Sequence, residues 1–163
     1  MSPIEEITES IKKIAKNARI VKRAHFIAEE RKRITHNVVG LTLIVFNLLI
    51  TSSLIEAFYE DQADIIIKVF AFIAALLAGI QTFFNFEKNI VNHLVAGRRY
   101  TTLQHNAELL LASTQKSDAS ENEIWNEYKK LSDDYLQANT DFEAFVPSNR
   151  DYNKARAEIK KQE

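Results

Sequence analysis

The chain has 163 residues, of which 26% are charged, and its formal net charge is −1, so no overall basic field is available to attract nucleic acid. It contains no cysteine, which excludes disulfides and thiolate metal sites. The length is sufficient for one domain of modest size beside any membrane segment.

Residues 1–36 are predicted to form a basic amphipathic helix. Seven apolar side chains and one histidine recur at alternating spacings of three and four residues, which places them in one seam along the helix. These are Ile4, Ile7, Ile11, Ile14, Ala18, Val21, His25 and Ala28. Basic residues cluster beside this seam: Lys12, Lys13, Lys16, Arg19, Lys22 and Arg23. Either the seam packs on another helix and the charges are solvated, or the charges contact anionic lipid headgroups. No cleavable signal peptide is expected, because the first 33 residues are charged rather than apolar.

Two uncharged stretches of 18 residues follow, at residues 38–55 and 69–86. Each would extend roughly 27 Å as a helix, close to the ~30 Å hydrocarbon core of a bilayer. A soluble four-helix bundle with two buried central helices is the alternative, but buried helices normally keep a polar stripe and neither stretch has one. The pattern therefore predicts a transmembrane hairpin over residues 37–87.

The charges around the hairpin indicate its orientation. The outer loop at residues 56–64 carries only carboxylates, and these are Glu56, Glu60, Asp61 and Asp64. The basic residues that would contact lipid headgroups flank the hairpin, and these are Arg31, Lys32, Arg33 and Lys88. Because basic residues remain on the cytoplasmic side, we expect a multi-pass protein of the cell membrane with both termini in the cytoplasm.

Five polar residues lie within the predicted spans: Asn47, Thr51, Gln81, Thr82 and Asn85. An amide in lipid costs several kcal/mol unless it finds a partner or water. These residues therefore either join helices or line a pore, and a pore would need a ring of subunits because two helices cannot enclose water. The second span also has a face of small residues that would allow close helix packing: Ala71, Ala74, Ala75, Ala78 and Gly79.

Residues 88–163 are predicted to form further cytoplasmic helices, the first of them continuous with the second span as far as Ser113. Its seam contains Ala96, Tyr100, Leu103, Ala107 and Leu110. Gly97 costs about 1 kcal/mol relative to alanine in a helix, so it marks a close approach or a bend. Residues 113–119 form a polar connector.

A capping box, Ser120 with Glu123, predicts the start of the next helix. Its seam contains Ile124, Tyr128, Leu131, Tyr135, Ala138, Phe142 and Phe145, and Val146-Pro147 ends the pattern. A short last helix follows, with Tyr152, Ala155 and Ile159 on one side. The fold class is therefore all-α, a transmembrane hairpin with a helical bundle, and the coiled-coil-like seams should pack together within or between subunits.

No catalytic, metal-binding or cofactor-binding pattern is present. The histidines, His25, His36, His93 and His105, do not have metal-ligand spacing, and each is expected to be structural or solvated. The glycines are isolated, so no phosphate-binding loop is predicted. The sequence does not suggest an enzyme.

The run FFNFEKNIVNHLVAGRRYTTL carries a family resemblance. With Glu87, His93, Arg99, Tyr100 and Leu103 after the second span and a tail containing Val146-Pro147, the chain resembles the SLATT domain over about residues 10–160. This two-transmembrane module is found beside bacterial nucleotide-second-messenger systems and some reverse-transcriptase defence systems.

The resemblance implies an antiphage effector that assembles in the inner membrane and makes it leak, which stops growth of the infected cell (abortive infection). Its partners would be the lipid bilayer, further copies of itself and a separate sensor protein of the defence system, because the chain has no recognisable nucleotide-sensing domain. The alternative is a non-conducting membrane adaptor whose cytoplasmic helices recruit a partner protein.

Overall fold

The computed structural model describes residues 3–52, 54–114 and 120–162, and these contain helices and no strand. The elements are α1 (Pro3–Thr51), α2 (Leu54–Phe58), α3 (Ala63–Phe84), α4 (Phe86–Thr114), α5 (Glu121–Asp141), a 3-10 turn (Glu143–Phe145) and α6 (Asn149–Lys160). The predicted all-α class is confirmed for these residues. Most of the predicted polar connector, residues 115–119, lies outside the described part of the chain.

The chain divides into two compact units. The bundle unit consists of Met1–Glu29 and Val91–Glu163, and the hairpin unit is Glu30–Ile90. Helices α1 and α4 each contribute residues to both units.

The three predicted seams form the core of the bundle unit. One apolar cluster joins Ile7, Ile11 and Ala18 of α1, Tyr100, Leu103, Ala107 and Leu110 of α4, and Ile124, Leu131 and Ala138 of α5. The remaining seam residues of α1 and α5 are buried or half-buried. The seams of the three helices therefore pack on one another within one chain. Each seam can do so because side chains spaced by three and four residues share one side of a helix.

The last helix packs on α1 through Ala155, which is buried with Ala24 and Ile27.

Two capping boxes begin the C-terminal helices. The predicted box of Ser120 and Glu123 is confirmed at the start of α5, and Ser148 with Asp151 forms a second one at the start of α6.

Gly97 marks a close approach, and α4 runs through it without interruption. A Cβ atom added at Gly97 would lie 2.8 Å from Cε1 of Phe26. Only glycine leaves room for this aromatic ring against the α4 backbone.

The hairpin unit pairs the second part of α1 with α3 in antiparallel fashion. Phe46 stacks on Phe70, with ring centroids 5.1 Å apart, and His36 lies beside Gln81 nearer the other end of the pair. The connection between them is more helical than predicted. Helix α1 already ends at Thr51, and α2 and the first residues of α3 occupy much of the expected outer loop.

The prediction that one continuous helix carries the second span into the C-terminal region is wrong. Asn85 has a φ of 42° in the left-handed region, so α3 ends at Phe84 and α4 begins at Phe86. Asparagine tolerates this conformation better than other non-glycine residues. Its Oδ1 accepts the backbone N–H of Lys88 (3.4 Å), which caps the new helix.

Candidate functional site

The hairpin unit exposes most of its apolar side chains. None of the residues in the most apolar 18-residue window of α1 is buried, and only 11% are buried in the corresponding window of Ala63–Thr114. Large exposed side chains occur along both helices: Val38, Leu41, Ile44, Val45 and Leu48 on α1, and Ile65, Val69, Phe72, Leu76, Ile80, Phe83 and Phe84 on α3. An apolar surface this extensive is typical of contact with a membrane or another protein chain. Both helices are long and apolar enough to cross a membrane.

The polar residues of the first span satisfy their donors within α1. Nδ2 of Asn47 donates to the carbonyl of Leu43 (2.9 Å). Oγ1 of Thr51 donates to the carbonyl of Asn47 (2.8 Å). Both side chains are exposed, so neither joins α1 to α3 within the chain.

Gln81 is the predicted polar residue that contacts the opposite helix. Its Nε2 lies 3.4 Å from Nδ1 of His36, and a Cβ atom at Gly40 would lie 3.9 Å from the same nitrogen. This contact connects α3 to α1 inside the hairpin unit, which corresponds to the interhelical role considered for Gln81.

The other two polar residues of the second span have local partners. Thr82 Oγ1 donates to the carbonyl of Ala78 (3.0 Å), and Asn85 accepts from Lys88 at the helix break. Both Thr82 and Asn85 are exposed.

The small-residue face of α3 is largely uncovered. Ala71, Ala75, Ala78 and Gly79 are exposed, whereas Ala74 is buried. A Cβ atom at Gly79 would meet none of the described residues within 4 Å. Part of this face forms a shallow apolar groove of about 450 Å³, lined by Phe72, Ala75, Leu76, Gly79, Ile80, Phe83 and Phe84.

The charged residues that flank the hairpin lie at the surface. Arg31, Arg33 and Lys88 are exposed, and Lys32 is half-buried. The carboxylates of the predicted outer loop, Glu56, Glu60, Asp61 and Asp64, are exposed. Lys68 forms an ion pair with Asp64 one helical turn earlier.

A pair of buried histidines in the bundle unit was not predicted. Nδ1 of His25 and Nδ1 of His93 are 3.0 Å apart, and each residue is 2% exposed. The ring of His25 also stacks on Tyr100, with centroids 5.7 Å apart, and meets the edge of Phe142. One imidazole donates and the other accepts, so the contact requires at least one of the two to be neutral at Nδ1.

Burial governs the ionisation of this cluster. It lowers the pKa of His25 to about 4, and the adjacent His93 also lowers it. Burial likewise raises the pKa of the Tyr100 hydroxyl, which donates a hydrogen bond to Oδ1 of Asn139 (2.7 Å). His25 and Tyr100 are therefore neutral at physiological pH. In the described part of the chain, no three His, Asp or Glu side chains are grouped as a metal site.

The seam pattern contained a signal for the histidine pair. His25 occupies a seam position of α1, and His93 lies three residues before Ala96, where the α4 seam would extend by one step.

No protein-family model matches the chain, and no curated protein or solved structure shows significant similarity to it.

Proposed function

We propose that the hairpin unit crosses the bacterial inner membrane twice and that the protein is a homo-oligomeric effector that permeabilises this membrane in antiphage defence. The observation that carries the proposal is the exposed apolar surface along two helices of sufficient length. Exposed to water, this surface would be unfavourable by about 25 cal/mol per Å², whereas lipid accommodates it.

The proposed orientation has both termini in the cytoplasm, since the exposed basic residues flank the hairpin and the connection contains exposed carboxylates. The absence of cysteine permits a direct test with single-cysteine variants. Asp61→Cys, in the connection, should react with a membrane-impermeant maleimide in spheroplasts. His105→Cys, exposed on α4, should react only after lysis. Labelling in the opposite order would contradict this topology.

Oligomer formation is supported by the uncovered small-residue face of α3, because small side chains let helices from neighbouring copies approach closely in a membrane. Two spans per chain cannot enclose water, so a conducting pore needs several copies. In this assembly Asn47 and Thr51 would lie one turn apart on the same side of α1 and face the lumen.

The test of permeabilisation is membrane potential after induced expression, followed with a voltage-sensitive dye alongside uptake of a membrane-impermeant stain. The wild-type protein should depolarise cells before the stain enters. Asn47→Leu should insert normally, because the backbone bonds of α1 do not depend on this side chain, but should cause at least tenfold less depolarisation. Thr42→Val removes another polar group bonded within α1 on a different side of the helix, and should depolarise like wild type. Full depolarisation by inserted Asn47→Leu protein would argue against a polar lumen at this position.

The trigger is proposed to be a separate sensor protein, as the SLATT resemblance implies. Co-expression of the chain with its neighbouring genes, followed by phage infection, should then produce depolarisation that the chain at low expression does not cause alone. Depolarisation at low expression, in infected cells that lack those neighbouring genes, would contradict a separate trigger.

The second candidate function is a non-conducting membrane anchor whose bundle unit recruits a partner. Its supporting observation is that Asn47, Thr51 and Thr82 donate hydrogen bonds within their own helices, so these donors need no aqueous lumen. It predicts an unchanged membrane potential under every condition above, together with a partner that co-purifies with the full-length, membrane-inserted protein.

A further inference from the structure

The bundle unit contains an open cavity of about 710 Å³ bordered by α1, α4 and α6. Its lining has three chemical components. The cationic side chains are Lys12, Lys16, Arg19, Arg156 and Lys160, the apolar ones are Ala15, Ile20, Leu111 and Ile159, and Glu108 is the carboxylate.

Positive charge predominates in this cavity. Lys12 pairs with Glu9 (2.7 Å) outside the lining, and Arg19 donates to Gln162 (3.3 Å). Among the described residues, Lys16, Arg156 and Lys160 form no ion pair. A concave surface with an excess of one charge concentrates its field and attracts ions of the opposite sign.

The basic residues of α1 fall into two groups, according to whether they contact another helix or line this cavity. Lys22 donates to Gln104 (2.7 Å), and Arg23 pairs with Glu158, so these two cations stabilise contacts between helices. Lys16 and Arg19 instead line the cavity, where α6 adds Arg156 and Lys160. Cations of α1 and α6 thus line one concave surface. A basic helix face that is merely exposed to water would not need cations from a second helix beside it.

The apolar part of the lining limits the kind of anion that fits. Ile20, Leu111 and Ile159 offer no hydrogen bonds to an inorganic ion, but they can contact a hydrocarbon or planar group. The volume is within the ~300–1,000 Å³ range of small-molecule sites. Guanidinium groups bind phosphate oxygens in pairs and also stack on planar rings.

We propose that this cavity binds a small organic phosphate, in which phosphate charge is joined to an apolar or planar body. The phosphates contact the cations of α1 and α6, and the body covers the apolar lining. Two sources can supply this chemistry, a soluble nucleotide and the phosphate headgroup of an anionic lipid.

The test uses the full-length protein in phosphatidylcholine nanodiscs, titrated with ATP by calorimetry. ATP should bind saturably at one site per chain. Lys16→Ala combined with Arg156→Ala should weaken binding at least tenfold, and because both side chains are exposed, the unfolding curve should remain unchanged. Lys129→Ala combined with Lys154→Ala removes the same charge from exposed positions outside the cavity, and its affinity should stay within twofold of wild type.

A second titration in nanodiscs containing phosphatidylglycerol distinguishes the two sources. At least tenfold weaker apparent ATP affinity there, with binding that still reaches one ATP per chain at saturation, identifies the lipid headgroup as a competing occupant. Unchanged binding identifies a soluble phosphate. The proposal is overturned if ATP does not bind saturably in phosphatidylcholine nanodiscs, or if the two double variants lose affinity equally. Neither result bears on membrane depolarisation, so the two proposals fail independently.

Discussion

Mild acid should destabilise the bundle unit through the buried histidine pair. In the folded protein the pKa of His25 is lowered to about 4, by burial and by His93, whereas an unfolded histidine has a pKa of about 6.5. The unfolded state therefore takes up a proton first as the pH falls. The stabilisation is fully present above pH 6.5, decreases between pH 6.5 and 4, and does not change further below pH 4.

The size of the effect follows from this difference in pKa. At 1.36 kcal/mol per unit, the complete loss is about 3 kcal/mol. Between pH 7 and pH 5 the linkage relation gives a loss of about 2 kcal/mol. A typical domain is stable by only ~5–15 kcal/mol, so a loss of this size is readily measured.

The chain contains a natural probe for this unit. Its single tryptophan, Trp125, lies on α5 with its ring 5.7 Å from that of Tyr128, so its fluorescence reports on the bundle unit during urea unfolding in detergent. Wild type and His105→Gln, which changes an exposed histidine of α4, should both lose about 2 kcal/mol from pH 7 to pH 5. His25→Gln should be less stable at pH 7 and lose less than half that amount. Equal losses in wild type and His25→Gln would refute the assignment of this pH dependence to the buried pair.

Three substitutions test the packing of the bundle unit by the same urea assay. Gly97→Ala forces a Cβ against Phe26, so overpacking of about 1–3 kcal/mol should exceed the ~1 kcal/mol gain in helix propensity, and Phe26→Leu should restore part of the loss. Ser120→Ala removes the acceptor for the N–H of Glu123 and should cost about 1 kcal/mol. Tyr100→Phe removes the bond to Asn139 and should also cost about 1 kcal/mol. No loss in stability in a variant would contradict the contact assigned to that residue.

The core of the bundle unit could be predicted almost residue by residue. All five seam positions assigned to α4, from Ala96 to Leu110, are buried. The reason is geometric, since spacings of three and four keep side chains on one side of a helix whatever it packs against. The low helix propensity of glycine also predicted that Gly97 marks a close approach or a bend, but the identity of the contacting residue, Phe26, depends on how α1 and α4 pack.

The helix break at Asn85 could not be found from the same pattern. No proline or glycine lies next to it to end the helix, and the preference of asparagine for the left-handed conformation is too weak to decide one position. Similarly, α1 ends at Thr51 inside a stretch that is apolar enough to continue. Hydropathy therefore locates the membrane-length segments but does not determine where the backbone turns.

Contacts between distant parts of the chain could not be predicted from local spacing alone. His25 and His93 are 68 positions apart and lie on different helices, so a search for metal-ligand spacing within one segment separates them. The cationic cavity likewise exists only because α6 brings Arg156 and Lys160 to α1. In both cases the chemistry depends on the tertiary packing of helices rather than on local spacing.

Gly97 and Gly79 differ in a way that bears on the oligomer proposal. Each costs about 1 kcal/mol relative to alanine inside a helix. At Gly97 the cost is offset within the chain, because the missing side chain admits the ring of Phe26. At Gly79 none of the described residues comes within 4 Å of the position that a Cβ would take, so no contact within the described chain offsets it. A neighbouring helix packed on the groove beside Gly79 would offset it, as close helix packing at small residues does in membranes. Asn47 gives weaker support for assembly, because its side-chain donor is already bonded to the carbonyl of Leu43. The support for assembly therefore comes more from the small-residue face of α3 than from the polar residues of the spans.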